Sequence, residues 1–335
     1  MFVGYVWVVL ITIFLVIIAG SIVRSTQSGM GCPDWPTCFG SAIPPTDANQ
    51  VIFHPNQAYK KGQFIIYHDS LKYAKQQFLS GKTYDPKDWK QYEKHNYAQF
   101  TVEHTWIEYL NRLLGALLGL LVLALFVWGF WQMKVNRSIV WLSFGLVLLT
   151  GFQAWLGKTV VDSNLALLKI TLHMLGALAM VFLCIYILFL AKGKKYVTVP
   201  KKAVQLSVVL ASMVMLQLLL GTEVRGQIDQ IAEHNKYINR SGWVAALNVW
   251  FYIHRSFSLL IGGLAVYLLL QLRLQPLAAV LLKRVVAIII LEILVGVVLA
   301  YLDFPQAAQP IHLLLSSVLI ALLFTNLLKL KAGRS

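Results

Sequence analysis

Eight long apolar stretches constrain this chain more than any other feature of it. They run over about residues 3–23, 102–131, 138–156, 166–191, 203–224, 246–271, 284–302 and 310–328. Each is long enough to cross a hydrocarbon layer about 30 Å thick, which takes roughly 20 helical residues. A segment in lipid must satisfy its own backbone hydrogen bonds, so the expected fold class is all-α, an integral membrane protein of eight transmembrane helices. A hydrophobic content of 58% and a mean hydropathy of +0.66 over 335 residues agree, since an ordinary soluble domain holds less apolar material.

The formal charge of +15 does not signal nucleic acid, because the basic residues mark loops instead of building a face. Lys134 and Arg137, then Lys192, Lys194, Lys195, Lys201 and Lys202, then Arg273, Lys283 and Arg284, and last Lys329, Lys331 and Arg334 all follow even-numbered helices. The positive-inside rule predicts that these loops and the C-terminus are cytoplasmic, and an even helix count puts the N-terminus there too. The loop over residues 24–101 carries many lysines yet falls outside, as segments beyond about 60 residues cross regardless of charge. The opening stretch lacks a charged n-region, a small-residue cleavage site and the Arg and Ser of a transit sequence. It is expected to be a retained first helix in a bacterial cytoplasmic membrane, surrounded by lipid.

The eight helices read as four helices used twice. Gly-x-x-Val-Arg closes helix one at Gly20 to Arg24 and helix five at Gly221 to Arg225. Tyr109, Leu110, Asn111, Arg112, Leu117 and Gly119 of helix two find Tyr252, Ile253, His254, Arg255, Leu260 and Gly262 at the same spacing in helix six, and helices four and eight share His-x-Leu at His173 and His312. The predicted organisation is two tandem four-helix bundles related by pseudo-two-fold symmetry, residues 1–193 and 200–332, both in the same orientation. They differ mainly in the long outer loop 24–101, where residues 56–81 suggest one or two amphipathic helices over the outer surface. His54, His68 and His95 are then exposed loop histidines. Cys32 and Cys38, on the oxidising side, can form a disulfide, and Cys184 reads as a small buried apolar residue.

Asn111, His173, His254 and His312 each fall within about the first three turns of a helix running inward. His254 and His312, on two helices of one half, can face each other at one depth. Two imidazoles at equal depth suit the axial positions of a six-coordinate haem iron. The alternatives are polar residues bonded across helices, or zinc, which lacks an accompanying carboxylate or thiol in this reading. Arg24, Arg112, Arg225 and Arg255 recur at matched places and suit haem propionates. Arg24 and Arg225 equally suit snorkelling to headgroups, and Arg112 and Arg255 a structural ion pair. Glu108 costs about 3 kcal/mol to insert, and Arg112, four residues on, shares its face. The repeat sets Phe251 where helix two has Glu108. One half therefore reads as a closed electron-transfer site, and the other, with His173, an acid and an amide, as a site for chemistry on a bound molecule.

The stretches GSIVRSTQSGMGCPDWPTCFG, EYLNRLLG, FQAWLGKTVVDSNL, LHMLGAL, LQLLLGTEVRGQID, IHRSF and FPQAAQPIHLLLSSVL, in this order, resemble the haem A synthase family across essentially all eight helices. The resemblance implies a haem b cofactor held by His254 and His312, and haem O as substrate in the N-terminal half near His173 and Glu108. It implies oxidation of the C8 methyl of haem O to formyl by two successive hydroxylations and loss of water, with Glu108 matching the family's essential glutamate. It further implies as partners the farnesyltransferase that makes haem O and the assembly proteins of haem-copper oxidases. The Cys32–Cys38 pair then passes reducing equivalents or staples the loop, the latter being favoured for so stiff a ring. The chain departs from the family at Asn111, where Glu-x-x-His-Arg is usual, and an amide does not ligate haem iron. This leaves His173 as the ligand of that half, with His104 a substitute lying about 10 Å further out. The Asn111 departure keeps two other readings open, a non-catalytic bis-histidine cytochrome and a haem carrier or assembly factor.

Overall fold

The computed structural model describes residues 1–93, 100–132, 136–163 and 165–333. Among them are eight helices long and apolar enough to cross a membrane: α1 Phe2–Ser25, α2 Val102–Gly129, α3 Arg137–Asp162, α4 Leu167–Ala191, α5 Lys201–His234, α6 Val249–Gln271, α7 Pro276–Tyr301 and α8 Ala308–Lys329. The protein is a multi-pass membrane protein of mostly helical fold. His95, Lys134 and Arg334 lie outside the described residues. Many large apolar side chains, such as Leu120, Trp131, Trp141 and Leu148, face outward. Lipid tails are as apolar as leucine, so such exposure carries no penalty in a bilayer.

Two compact units divide the chain, one made of residues 1–21, 118–153 and 171 onward, the other of residues 22–117 and 154–170. In the first, one core gathers Val6, Val9, Leu10 and Ile13 of α1, Leu118, Val122 and Leu125 of α2, and Val181, Cys184 and Leu188 of α4. Spacings of three and four residues put each set on one helical face. Cys184 is fully buried with its thiol free, as a small apolar residue would be. A second core joins Leu210, Val214 and Leu218 of α5 to Ile261, Ala265 and Leu268 of α6, Val285 and Ile289 of α7, and Leu319, Ile320 and Leu323 of α8.

The helices exceed their apolar stretches in a way hydropathy alone does not reveal. α5 continues to His234, ten residues past its expected end, because Ile228 and Ala232 pack with Trp243, Leu247, Leu299 and Phe304. Its polar face is laced by an Arg225–Asp229 ion pair of 2.8 Å. α7 begins at Pro276, where proline is tolerated in the first turn, so Lys283 and Arg284 lie on the helix rather than before it.

The second unit corrects the expectation for residues 56–81, which form strands and no amphipathic helix. β1 Ala58–Tyr59 pairs with β4 Phe78–Leu79, while β2 Phe64–Tyr67, β3 Ser70–Ala74 and β5 Trp89–Gln91 form an antiparallel sheet. The run Phe64, Ile65, Ile66, Tyr67 is β-branched and aromatic. His68 and Asp69 follow with φ of 48° and 53°, the two left-handed residues that turn a tight hairpin with the twist of its strands. Alternation along β2 serves two cores: Phe64 and Ile66 pack with Cys32, Cys38, Phe39 and Leu71, whereas Ile65 and Tyr67 pack with Tyr59, Ala74 and Trp89. In the first unit β6 Val197–Val199 pairs in parallel with β7 Leu330–Ala332, joining the segments that follow α4 and α8.

Candidate functional site

In the first unit, His254 and His312 both occupy the early turns of their helices, and their ring centres lie 6.5 Å apart with planes at 81°. Metal–imidazole bonds of about 2 Å on either side of an iron separate the bonded nitrogens by about 4 Å, and ring centres about 1.2 Å further back give about 6.4 Å in all. A separation of 6.5 Å would suit two axial ligands of one iron. Gly221 makes room for the His254 ring, and Gly296 lies beside the His312 ring. A Cβ at Gly221 of α5 would stand 3.1 Å from His254 Cε1, and one at Gly296 of α7 would stand 3.7 Å from His312 Cε1. Gln217 of α5 donates to the His254 carbonyl at 2.9 Å, tying α5 to α6 one turn before Gly221.

The two imidazoles differ behind the site. His254 Nδ1 is buried without a hydrogen-bond partner. His312 Nδ1 lies 2.7 Å from Glu292 Oε2 of α7, a contact off the line of an aligned hydrogen bond. Ser316 Oγ lies 3.0 Å from both Glu292 Oε1 and the His312 carbonyl, so its one proton serves either acceptor. The sequence reading passed over Glu292, although the signal was there: a lone acid inside the apolar run IIILEILVG invites the question that Glu108 raised. His173, on α4 of the same unit, also has a buried Nδ1 without partner.

The second unit holds Glu108, Asn111 and Arg112. Glu108 is 3% exposed, with Oε2 accepting the Cys32 N–H at 2.8 Å and Oε1 paired to Arg112 at 2.5 Å. Arg112 donates further to the carbonyls of Asp34 at 2.6 Å, Thr37 at 3.0 Å and Cys32 at 3.4 Å. Cys32 and Cys38 are disulfide-bonded, so this guanidinium fastens the closed Cys-Pro-Asp-Trp-Pro-Thr-Cys ring onto α2. Of the two settings considered for Arg112, the geometry displays the structural ion pair. Gly31 makes the close approach possible, because a Cβ there would stand 2.5 Å from the His104 carbonyl oxygen of α2. Thr105 seals the contact by donating to the Gly31 carbonyl at 2.9 Å. Asn111 Oδ1 is buried with no partner. Within the same unit, Tyr92 donates to the Pro33 carbonyl at 2.6 Å. Burial, then the charges of Asp162 and Asp34, push its phenol up to about 12.

The other arginines have varied surroundings. Arg24 closes α1. Arg225 pairs with Asp229 and covers the Phe304 ring at 5.6 Å. Arg255 lies over Tyr252 at 5.3 Å and Phe251 at 5.9 Å, with no ion-pair partner among the described residues. His54 contacts the Asn49 carbonyl at 2.6 Å and His68 packs on Tyr67, both in the loop.

The family model COX15-CtaA, cytochrome oxidase assembly protein, matches residues 4–81 and 74–324. Among relatives, a Heme A synthase of Shewanella oneidensis is 27% identical over 223 residues, 66% of this chain and 55% of that protein. One of Sphingopyxis alaskensis is 24% identical over 233 residues, 66% of this chain and 58% of that protein. One of Ehrlichia ruminantium is 22% identical over 353 residues, covering 96% of this chain and 92% of that protein. Against the first two, the match spans a little over half of the relative's length. With its matched segments running from the first helix to the last, this chain belongs to the COX15-CtaA family of cytochrome oxidase assembly proteins.

Proposed function

We propose that this protein acts as a haem A synthase, oxidising the C8 methyl of haem O to formyl with the help of a resident haem b held by His254 and His312. The observation that carries this reading is the pair of facing imidazoles 6.5 Å apart between ring centres. Two donors complete the shell of an iron already bound by four pyrrole nitrogens, whereas a structural zinc takes four protein ligands. A bis-histidine haem supplies electron transfer without an open coordination position. The protein's part is to hold and exclude: Gly221 lets the His254 ring seat, and the apolar helices keep water away. Arg255, without an ion-pair partner among the described residues, is the group best able to receive a propionate, with Arg24 at the end of α1 and Arg225 within α5 as further candidates. Arg112 has the structural role instead, through its ion pair with Glu108.

For the substrate, His173 is the proposed iron ligand, supported by its buried and unpartnered Nδ1. Glu108 is the proposed catalytic group. Its carboxylate is fixed by two donors before any substrate arrives, and a preorganised anion of this kind stabilises positive charge developing at an oxidised methyl carbon. The halves 1–193 and 200–332 are then a substrate half and a cofactor half, in a bacterial cytoplasmic membrane with both termini inside. The farnesyltransferase making haem O is the partner that delivers substrate. One observation favours a second reading, a non-catalytic bis-histidine cytochrome: Asn111 stands where the repeat has a histidine, and its amide is not an iron ligand.

Pigment analysis decides between them. The protein purified from cells that also make haem O should yield haem A or its hydroxymethyl precursor on acid-acetone extraction and chromatography. Haem B alone would favour the cytochrome. Glu108→Ala should keep the haem b spectrum and lose the product; full turnover in that variant removes Glu108 from its role.

A further inference from the structure

Given a resident haem between His254 and His312, as proposed above, we infer that Glu292 is a positioning residue that fixes the orientation of His312 and holds the haem at low potential. Glu292 Oε2 is 2.7 Å from His312 Nδ1, and Ser316 Oγ is 3.0 Å from Glu292 Oε1. The carboxylate thus has the imidazole on one oxygen and a hydroxyl on the other. A histidine that ligates a metal donates its second ring N–H to such a group, which fixes the tautomer and strengthens the ligand. Nδ1 turned to Glu292 leaves Nε2 for the iron. The contact lies off the line of an aligned hydrogen bond, as such bonds often do before the ligand they serve is bound.

Glu292 also has a counterpart that sharpens its meaning. Gln153 of α3 stands twenty positions before His173, and Glu292 stands twenty positions before His312. Gly157 and Gly296 follow each of them by four residues, so a [Gln/Glu]-x-x-x-Gly element precedes both histidines at one spacing. Gln153 is 7% exposed, neither amide atom has a hydrogen-bond partner, and its side chain fills the space that a Cβ at Gly176 would take, one turn beyond His173. One member of the repeat therefore sets a carboxylate against its histidine, whereas the other has a neutral amide of nearly the same shape at the matching sequence position, packed against Gly176. A carboxylate on the ligand favours the ferric over the ferrous state, both by its charge and by making the imidazole a stronger donor. An amide at that place does neither. Glu292 is thereby the feature that separates the resident haem from anything bound at His173.

Redox titration of the purified, haem-loaded protein tests this. Glu292→Gln should raise the midpoint potential, lowering the ferric to ferrous ratio at fixed potential about tenfold, or about 59 mV for one electron. Glu292→Asp should restore most of the difference. Ser316→Ala, which removes a donor from the carboxylate and leaves it a better acceptor, should move the potential the other way. The ferric low-spin electron paramagnetic resonance signal should shift in both Glu292→Gln and Ser316→Ala. If Glu292→Gln purifies without haem, Ser316→Ala and Glu292→Asp decide. Wild-type potential and spectrum in all haem-loaded variants would overturn the role of Glu292 and leave the haem reading intact. Retention of the Soret band in both His254→Ala and His312→Ala would instead overturn the haem reading itself.

Discussion

Glu108 and Glu292 are both carboxylates within membrane helices, yet their partners differ in kind. Glu108 faces a guanidinium and a backbone N–H of the disulfide ring, and Arg112 spends its remaining donors on three carbonyls of the same ring. Glu292 faces an imidazole and a hydroxyl. An acid in an apolar helix must find a partner because the alternative is an uncompensated charge. The choice of partner decides what the acid can do. A guanidinium makes a fixed anchor, whereas an imidazole leaves the carboxylate able to act on whatever that imidazole binds.

Four experiments break or sharpen the contrast. The largest effect is expected from His254→Ala, which should abolish the Soret absorption altogether while Glu292→Gln alters it only in position. Next is Arg112→Ala, which strands a buried carboxylate and should destabilise the second unit by about 3–5 kcal/mol, read as a lower unfolding temperature. Glu292→Gln strands no charge and should leave that temperature nearly unchanged; equal losses in the two variants would erase the distinction between anchor and modulator. Replacing Cys32 and Cys38 together by alanine should cost the second unit about 2 kcal/mol for so small a ring, measured by the same melting curves. The smallest effect concerns pH. Tyr92 ionises near 12 when folded against an ordinary value of 10.0. The unfolded chain therefore loses its phenolic proton first, and the stability that Tyr92 contributes is complete below pH 10 and gone above about pH 12. Tyr92→Phe should flatten that decline in alkaline unfolding curves of the second unit.

Much of this was legible before any coordinates. The eight helices follow from apolar length alone, as did the pairing of Glu108 with Arg112, which needs nothing beyond a spacing of four on one helix. Recurrent motifs singled out His254 and His312 because intramembrane histidines are rare. The misses have a common origin. Residues 56–81 were assigned helical character from scattered apolar positions, whereas Phe64–Tyr67 alternates between two cores and His68–Asp69 turns left-handed. The extension of α5 to His234 depends on Trp243, Leu247 and Phe304 arriving from elsewhere in the chain. Glu292 escaped because its partner lies on another helix, twenty residues away.

The sequence by itself determined the membrane class, the helix count and the residues too costly to bury without purpose, since hydropathy and charge are properties of a segment and need no neighbour. Tertiary structure alone decided that Arg112 grips a disulfide ring, that two imidazoles stand with ring centres 6.5 Å apart, and that Glu292 stands behind one of them and not the other. Those outcomes depend on which helix faces which, and at what height. Contacts between distant segments are set by packing of whole faces, which no local pattern encodes.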